Sequence, residues 1–417
     1  MHHPAFNTAA TFAHIKGTTM ADSIPLLPNP TRAGRYIRQA TGYRAFIPAP
    51  LPPIPPLNLG GEIQSLLSQA DRALGRLDGS IQTLPNPNLF VFMYVRKEAV
   101  LSSQIEGTQS SLNDLLAAEA KILTPDQPKD VDEVVNYVRA MNYGLARLRE
   151  LPLSLRLIKE IHAELLQGVR GSHLTPGEFR RSQNWIGAGG CTLTDASFVP
   201  PPPDDVPTIL GDMETFLHTP SDLPALVQIG LAHAQFETIH PFLDGNGRVG
   251  RLLITFLLCE RDILTQPVLY LSHYFKRHRS AYYERLQAVR DAGDWEGWLA
   301  FFLRGVIDVS GEATVTARRI LALREAHRAA VTTGLGRMAA NGHRVLEHLY
   351  ERPIVSVVDI QTLLGTSYPA ASQVVKRLCA LDILKESTGY RRNRQFRYTP
   401  YIELFSEAPE PGPAIVQ

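Results

Sequence analysis

The feature that most constrains this 417-residue chain is the run His240-Pro241-Phe242-Leu243-Asp244-Gly245-Asn246-Gly247-Arg248-Val249-Gly250-Arg251. It follows an amphipathic stretch carrying Leu226, Ile229, Ala232, His233 and Phe236 at helical spacing, and Pro241 stops that helix. Phe242 is placed to anchor the loop. Gly245 and Gly247 let the backbone come close to an anion. A second helix is expected from about Asn246, with unpaired amides and a positive dipole end at its start. Arg248 and Arg251, three residues apart, are expected on one side of its first turn. The segment Gly245, Asn246, Gly247, Arg248, Val249, Gly250, Arg251 therefore reads as a cradle for more than one phosphate. A carboxylate beside phosphates calls for a cation, which makes Asp244 a candidate Mg²⁺ ligand. His240 has the pKa range of a general base for an attacking hydroxyl. Taken singly, these are a capping histidine, a tight turn and a solvated arginine pair. Their concatenation in one loop-to-helix junction sets them apart.

The run resembles the Fic family signature, H-x-F-x-[D/E]-G-N-G-R-x-x-R, at every defining position. The resemblance implies an all-α core in which His240 is the base, Asp244 holds Mg²⁺, and Gly245 to Arg251 hold nucleotide phosphates. It implies transfer of AMP from ATP to a Ser, Thr or Tyr hydroxyl of a target protein, with release of pyrophosphate. The target is not named by the sequence. Gln183-Asn184-Trp185-Ile186-Gly187 and Phe198-Val199-Pro200-Pro201-Pro202 resemble the family's flap, a small β-hairpin able to take up an extended target segment. The stretch Leu271 to Phe275, Tyr282-Tyr283 and Gly293 to Glu296 extends the resemblance. Tyr283 is the expected adenine contact; the plain alternative is that Tyr282 and Tyr283 both pack in the core.

Ser102-Ser103-Gln104-Ile105-Glu106-Gly107 resembles the family's inhibitory motif, [S/T]-x-x-x-E-[G/N]. Ser102 and Glu106 share one helix face. By resemblance, Glu106 pairs with Arg251 and blocks the productive γ-phosphate position.

The remainder predicts a mainly α chain in several units. Residues 1–57 form a leader and Pro-rich arm, with Met20 as an alternative start. Residues 58–130 form an N-terminal helical domain with helices near 88–105 and 110–122, and 131–325 a Fic-type core with helices near 205–217, 222–239, 246–261, 276–291 and 294–310. Between 177 and 204 strand formers separated by glycines predict the flap hairpin. Residues 335–405 read as a winged helix-turn-helix, its third helix exposing Gln373, Lys376 and Arg377 and its wing carrying Arg391, Arg392 and Arg394. That footprint suits DNA, or alternatively protein contacts or a homodimer. Residues 406–417 read as a disordered tail. Net charge is +1, so no global pull toward nucleic acid or membrane is implied. Three cysteines without metal spacing fit a reducing cytoplasm. No segment is long enough for a membrane span. Two other functions stay open: a DNA-binding regulator whose Fic domain senses ATP, and an enzyme running the reaction in reverse to remove AMP.

Overall fold

The computed structural model describes residues 31–406 apart from 85, 123–127, 189 and 390–392. The expected leader, alternative start and most of the tail, together with Arg391 and Arg392 of the wing, lie outside the described residues. The chain is mainly helical, as its patterning predicts.

Periodic apolar positions account for the helices. α1 (Gly61–Gln82) buries Ile63, Leu66, Ala70, Leu74, Leu77 and Ile81 along one face. That face packs along α11 (Trp295–Leu335), a 41-residue helix about 60 Å long at 1.5 Å per residue. α2 (Asn88–Ile105) leads to α3 (Leu112–Glu119), which opens with a reciprocal capping box between Ser111 and Asp114. α4 (Val131–Arg147) and α5 (Leu155–Leu165) pack together, and α6 (Val206–His218) follows. At the centre, α7 (Ala225–Ile239) and α8 (Asn246–Glu260) are buried on nearly every side. A helix apolar all round belongs inside a core, and this pair fixes the loop between them. α9 (Ser272–Arg277) and α10 (Arg279–Ala292) complete the surround.

Three local expectations change. The Pro-rich arm contains a hairpin, β1 (Gly34–Arg38) and β2 (Arg44–Pro48), paired antiparallel with Gly34 opposite Pro48. It docks on the body where the Phe46 amide donates to the Val199 carbonyl at 2.9 Å. The predicted flap hairpin is reduced to one bridge, Ile186 with Phe198, and is otherwise irregular. The helix expected to end near 310 continues to Leu335. Gly311 weakens it by roughly 1 kcal/mol, but Ala313, Ala317 and Ile320 are buried beyond it.

After α11 come α12 (Ala339–Glu351), β3 (Ile354–Ser356), α13 (Val357–Leu364), α14 (Tyr368–Ala380), β4 (Lys385–Glu386), β5 (Gln395–Arg397) and α15 (Thr399–Glu403). The strands form one antiparallel sheet in the order β3-β5-β4. α13 starts at a Ser356–Asp359 capping box and stops at Gly365 in the left-handed region. This unit is packed onto the rest: α12 contacts α2, and Phe405 sits edge-on to Tyr94 of α2 at 5.3 Å. Among the described residues no helix is long and apolar enough to cross a membrane.

Candidate active site

The chemistry-bearing loop is the α7–α8 connection. His240 caps α7 at φ 48, ψ 60, in the left-handed region. A non-glycine residue there costs on the order of 1–2 kcal/mol and must be held in place. Two donors grip its carbonyl: Arg180 Nε at 2.9 Å and Asn184 Nδ2 at 3.0 Å. Arg180 is buried and also donates to the carbonyls of Pro201 at 2.5 Å and Ser182 at 3.3 Å. Asn184 reaches on to the Phe242 carbonyl at 2.8 Å, tying the flap to the loop. Asn246 closes the turn from inside, with Oδ1 accepting from the Phe242 amide and Nδ2 donating to the Phe242 carbonyl, both at 2.8 Å.

His162 is the loop's other anchor. The Gly177 amide donates to its Nδ1 at 2.8 Å, so Nε2 carries the proton and donates to the Asp244 carbonyl at 3.0 Å. Its ring stacks on Phe242 at 3.7 Å. Sequence reasoning missed Arg180, His162 and the clasping role of Asn184, since each acts through a partner far along the chain.

The electrostatics keep His240 neutral. Burial, and then the guanidiniums of Arg180 and Arg290, push it down to about 3. Burial is the main cause that takes His162 to about 4 and His233 to about 3. A neutral imidazole is the form that accepts a proton. In a ¹⁵N-histidine NMR titration, these three rings are expected to stay neutral at pH 5, where exposed histidines have charged. Their folded pKa values lie below the unfolded 6.5, so the stability they contribute is present above pH 6.5 and is lost as pH falls below it. An inflection of His240 near 6.5 would contradict this assignment.

Gly245 is the N-cap of α8, with a φ of 78 that the missing side chain permits. Its first turn is where an anion is expected, and a carboxylate is already there. A Cβ placed on Gly247 would meet Glu106 Oε1 at 2.2 Å, so only glycine lets that group approach. Arg251 Nη2 donates to the same Oε1 at 2.7 Å and to the Ser102 carbonyl at 3.0 Å. Arg251 Nε donates to Ser102 Oγ at 2.8 Å. Ser102 contributes one of the last four carbonyls of α2, so the negative end of α2 faces Arg251. Arg279 caps the same end through the Ile105 carbonyl at 2.8 Å. Burial works against the charge on Glu106, but Arg251 outweighs it and holds the carboxyl below its ordinary range. The pair is ionised.

Arg248 departs from expectation. It is almost fully buried and pairs with Glu133 Oε2 at 3.1 Å and Asp244 Oδ1 at 3.5 Å. Three residues turn a helix by about 300°, leaving about 60° between Arg248 and Arg251. Around a buried helix that offset sends them to different neighbours. Val249 is core and Gly250 packs under Glu237. Arg248, Val249 and Gly250 are therefore not on the cavity wall, whereas Gly245, Asn246, Gly247 and Arg251 are. Glu133→Ala strands a buried guanidinium. It is expected to cost about 3 kcal/mol, the low end for a broken buried pair, because Asp244 remains nearby. Urea denaturation measures this, and a loss under about 1 kcal/mol would contradict the structural role.

The cavity holds about 510 Å³ and is also walled by His240, Asp244, the flap residues Asn184 to Ile186, Glu106 and Tyr283. The two tyrosines are placed differently. Tyr282 is buried and its hydroxyl lies 2.9 Å from His233 Nε2, while Tyr283 is only half-buried and faces the cavity. Asp244 Oδ1 accepts from the Gly245 amide at 2.7 Å. Among the described residues no group of three or more His, Cys, Asp or Glu side chains is placed to hold a metal. A single carboxylate does suit Mg²⁺ delivered with nucleotide phosphates, since that ion keeps few protein ligands.

Residues 64–146 match the Fic/DOC family N-terminal model and residues 152–258 the Fic/DOC family model. Over these two segments the chain is similar to the Fic/DOC family. It is 30% identical over 181 residues to a probable protein adenylyltransferase of Aquifex aeolicus, covering 42% of this chain and 51% of that protein. It is 31% identical over 207 residues to the protein adenylyltransferase Fic of Drosophila willistoni, covering 48% of this chain and 36% of that one. The chain thus spans about half or less of the length of these relatives. A Fic family protein from Desulfovibrio desulfuricans G20 shares the fold, with a TM-score of 0.56 at 19% identity over 82% of this chain and 97% of its own.

Proposed function

We propose that the protein is a protein adenylyltransferase whose resting state is restrained by Glu106. The observation that carries the reading is the Glu106 carboxylate lying on the first turn of α8 and paired with Arg251. An anion site filled by the chain's own carboxylate is a site built for a more highly charged ligand. The triphosphate of ATP fits it, with phosphate oxygens on the α8 amides and, once Glu106 is displaced, on Arg251.

Asp244 would hold Mg²⁺, which neutralises phosphate charge when bound. The acceptor hydroxyl enters beneath the flap. Its oxygen forms a bond to the α-phosphorus as the bond to the β-phosphate oxygen breaks, and pyrophosphate leaves with the electron pair. The hydroxyl proton passes to the neutral imidazole of His240. The positional label decides the reaction. Protein labelling from α-labelled but not γ-labelled ATP supports adenylyl transfer; labelling from the γ position alone contradicts it. Cys191, Cys259 and Cys379 are all free, in keeping with a cytoplasmic setting.

The C-terminal unit carries a second reading, as a winged helix that binds duplex DNA. Gln373, Lys376 and Arg377 are exposed on α14 and, with Tyr368, Pro369 and Ser372, line an open groove of about 670 Å³. Gln suits a base edge, and Lys and Arg suit phosphates. Fluorescence anisotropy of the full chain with a labelled duplex tests this. Binding that weakens in Lys376→Ala and Arg377→Ala supports it, and no binding at low salt contradicts it.

A further inference from the structure

Among the described residues three arginines line the cavity: Arg170, Arg251 and Arg279. Arg251 and Arg279 both serve the C-terminal end of α2, through Ser102, Glu106 and the Ile105 carbonyl. Arg170 comes from a different place, the turn after α5. Asn136 pins that turn, donating to the carbonyls of Leu165 at 3.2 Å and Gln167 at 2.8 Å. Gly168 and Gly171, at φ 72 and 85, bend the chain on either side of Val169 and Arg170. Gly171 then packs on Asp244. A Cβ there would stand 2.6 Å from Asp244 Oδ2, so only glycine lets this turn approach so closely.

The backbone at Arg170 is thus fixed beside Asp244, while its side chain is 56% exposed. Its Nε lies 3.5 Å from Glu133 Oε1, a longer contact than the 3.1 Å by which the buried Arg248 holds Oε2 of the same carboxylate. Glu133 keeps that buried partner if Arg170 swings away, so the exposed guanidinium can turn to a ligand at little cost. Arg248 cannot do the same, because Glu133 and Asp244 hold it off the cavity wall. For transfer the α-phosphorus must come within reach of His240. The phosphates that depart must leave to solvent, past the exposed part of the wall. We propose that Arg170 binds an oxygen of the leaving pyrophosphate, at its β-phosphate, and so takes the contact that the placement of Arg248 denies. This rests on the nucleotide-binding reading above. A guanidinium fork suits two phosphate oxygens at once.

The test is calorimetric titration of the full chain with ADP and with AMP, in the Glu106→Gly background and with Mg²⁺ present. ADP carries the β-phosphate and AMP does not. Arg170→Ala is expected to weaken ADP by about tenfold or more and AMP by under about twofold, as loss of a charge-assisted contact to one phosphate predicts. Arg170→Lys, which keeps the charge and loses the fork, recovers part of the affinity for ADP. Unliganded melting temperatures close to the parent's establish that both variants are folded and that Glu133 retains its buried partner. Unchanged ADP affinity in Arg170→Ala overturns the proposal and leaves the guanidinium to the target protein or to solvent. Equal weakening of ADP and AMP overturns it as well, since a merely structural role would act on both. Failure of the Glu106→Gly parent to bind either nucleotide contradicts the nucleotide reading itself, so the two failures are distinguishable.

Discussion

Glu106→Gly is expected to raise adenylyl transfer, to itself or to a target, by at least about tenfold. Each ~1.4 kcal/mol of blocking removed corresponds to one such factor. The carboxylate over Gly247 disappears, and the first turn of α8 is open to phosphate. Arg251 stays oriented, because Ser102 still accepts from its Nε and Nη2. The fold should tolerate the change, since Glu106 lies beyond the last residue of α2, Gly107 already follows it, and the buried Arg251 keeps its two Ser102 acceptors when the carboxylate is lost. Glu106→Gln should fall between, keeping the bulk and one acceptor while losing the charge. Equal rates for wild type and Glu106→Gly, measured from α-labelled ATP, would leave the carboxylate without an inhibitory role.

His240→Ala, made in the Glu106→Gly background, is expected to lower transfer by about 10²- to 10⁴-fold, the usual worth of a positioned general base. ATP binding should change little, because the groups assigned to the phosphates lie on α8 and not on His240. Filter binding of ATP separates the two effects. A variant that loses ATP binding in parallel with transfer would mean that His240 holds the nucleotide rather than the proton.

The parts of the site that were legible in the sequence are those whose partners are close together in the chain. Gly245, Asn246, Gly247 and Arg251, which line the cavity, all lie within seven consecutive residues. Ser102 and Glu106 lie one helical turn apart, so their shared face follows from spacing alone. What stayed hidden depends on contacts across the fold. Glu133 reaches Arg248 over 115 positions, and Arg180 reaches the His240 carbonyl over 60. Neither Glu133 nor Arg180 sits in a local pattern that marks it. The same limit explains why Arg248 and Arg251 were expected together. Spacing on an isolated helix says they are neighbours, whereas burial on all sides of α8 divides them between Glu133 and Glu106. At the fold level, apolar periodicity placed α2 and α8 closely. The β1–β2 hairpin was obscured by the prolines around it, and its docking depends on the Val199 carbonyl far along the chain.

One side-by-side measurement tests both the restraint by Glu106 and the proton transfer to His240. Wild type, Glu106→Gly and the Glu106→Gly/His240→Ala double variant are incubated with α-labelled ATP, Mg²⁺ and cell lysate, and modified residues are located by mass spectrometry. The expected result is AMP on Ser, Thr or Tyr hydroxyls in the Glu106→Gly reaction, with little in wild type and none above background in the double variant. Labelling that is equal in wild type and Glu106→Gly, or that persists without His240, would contradict the central claim.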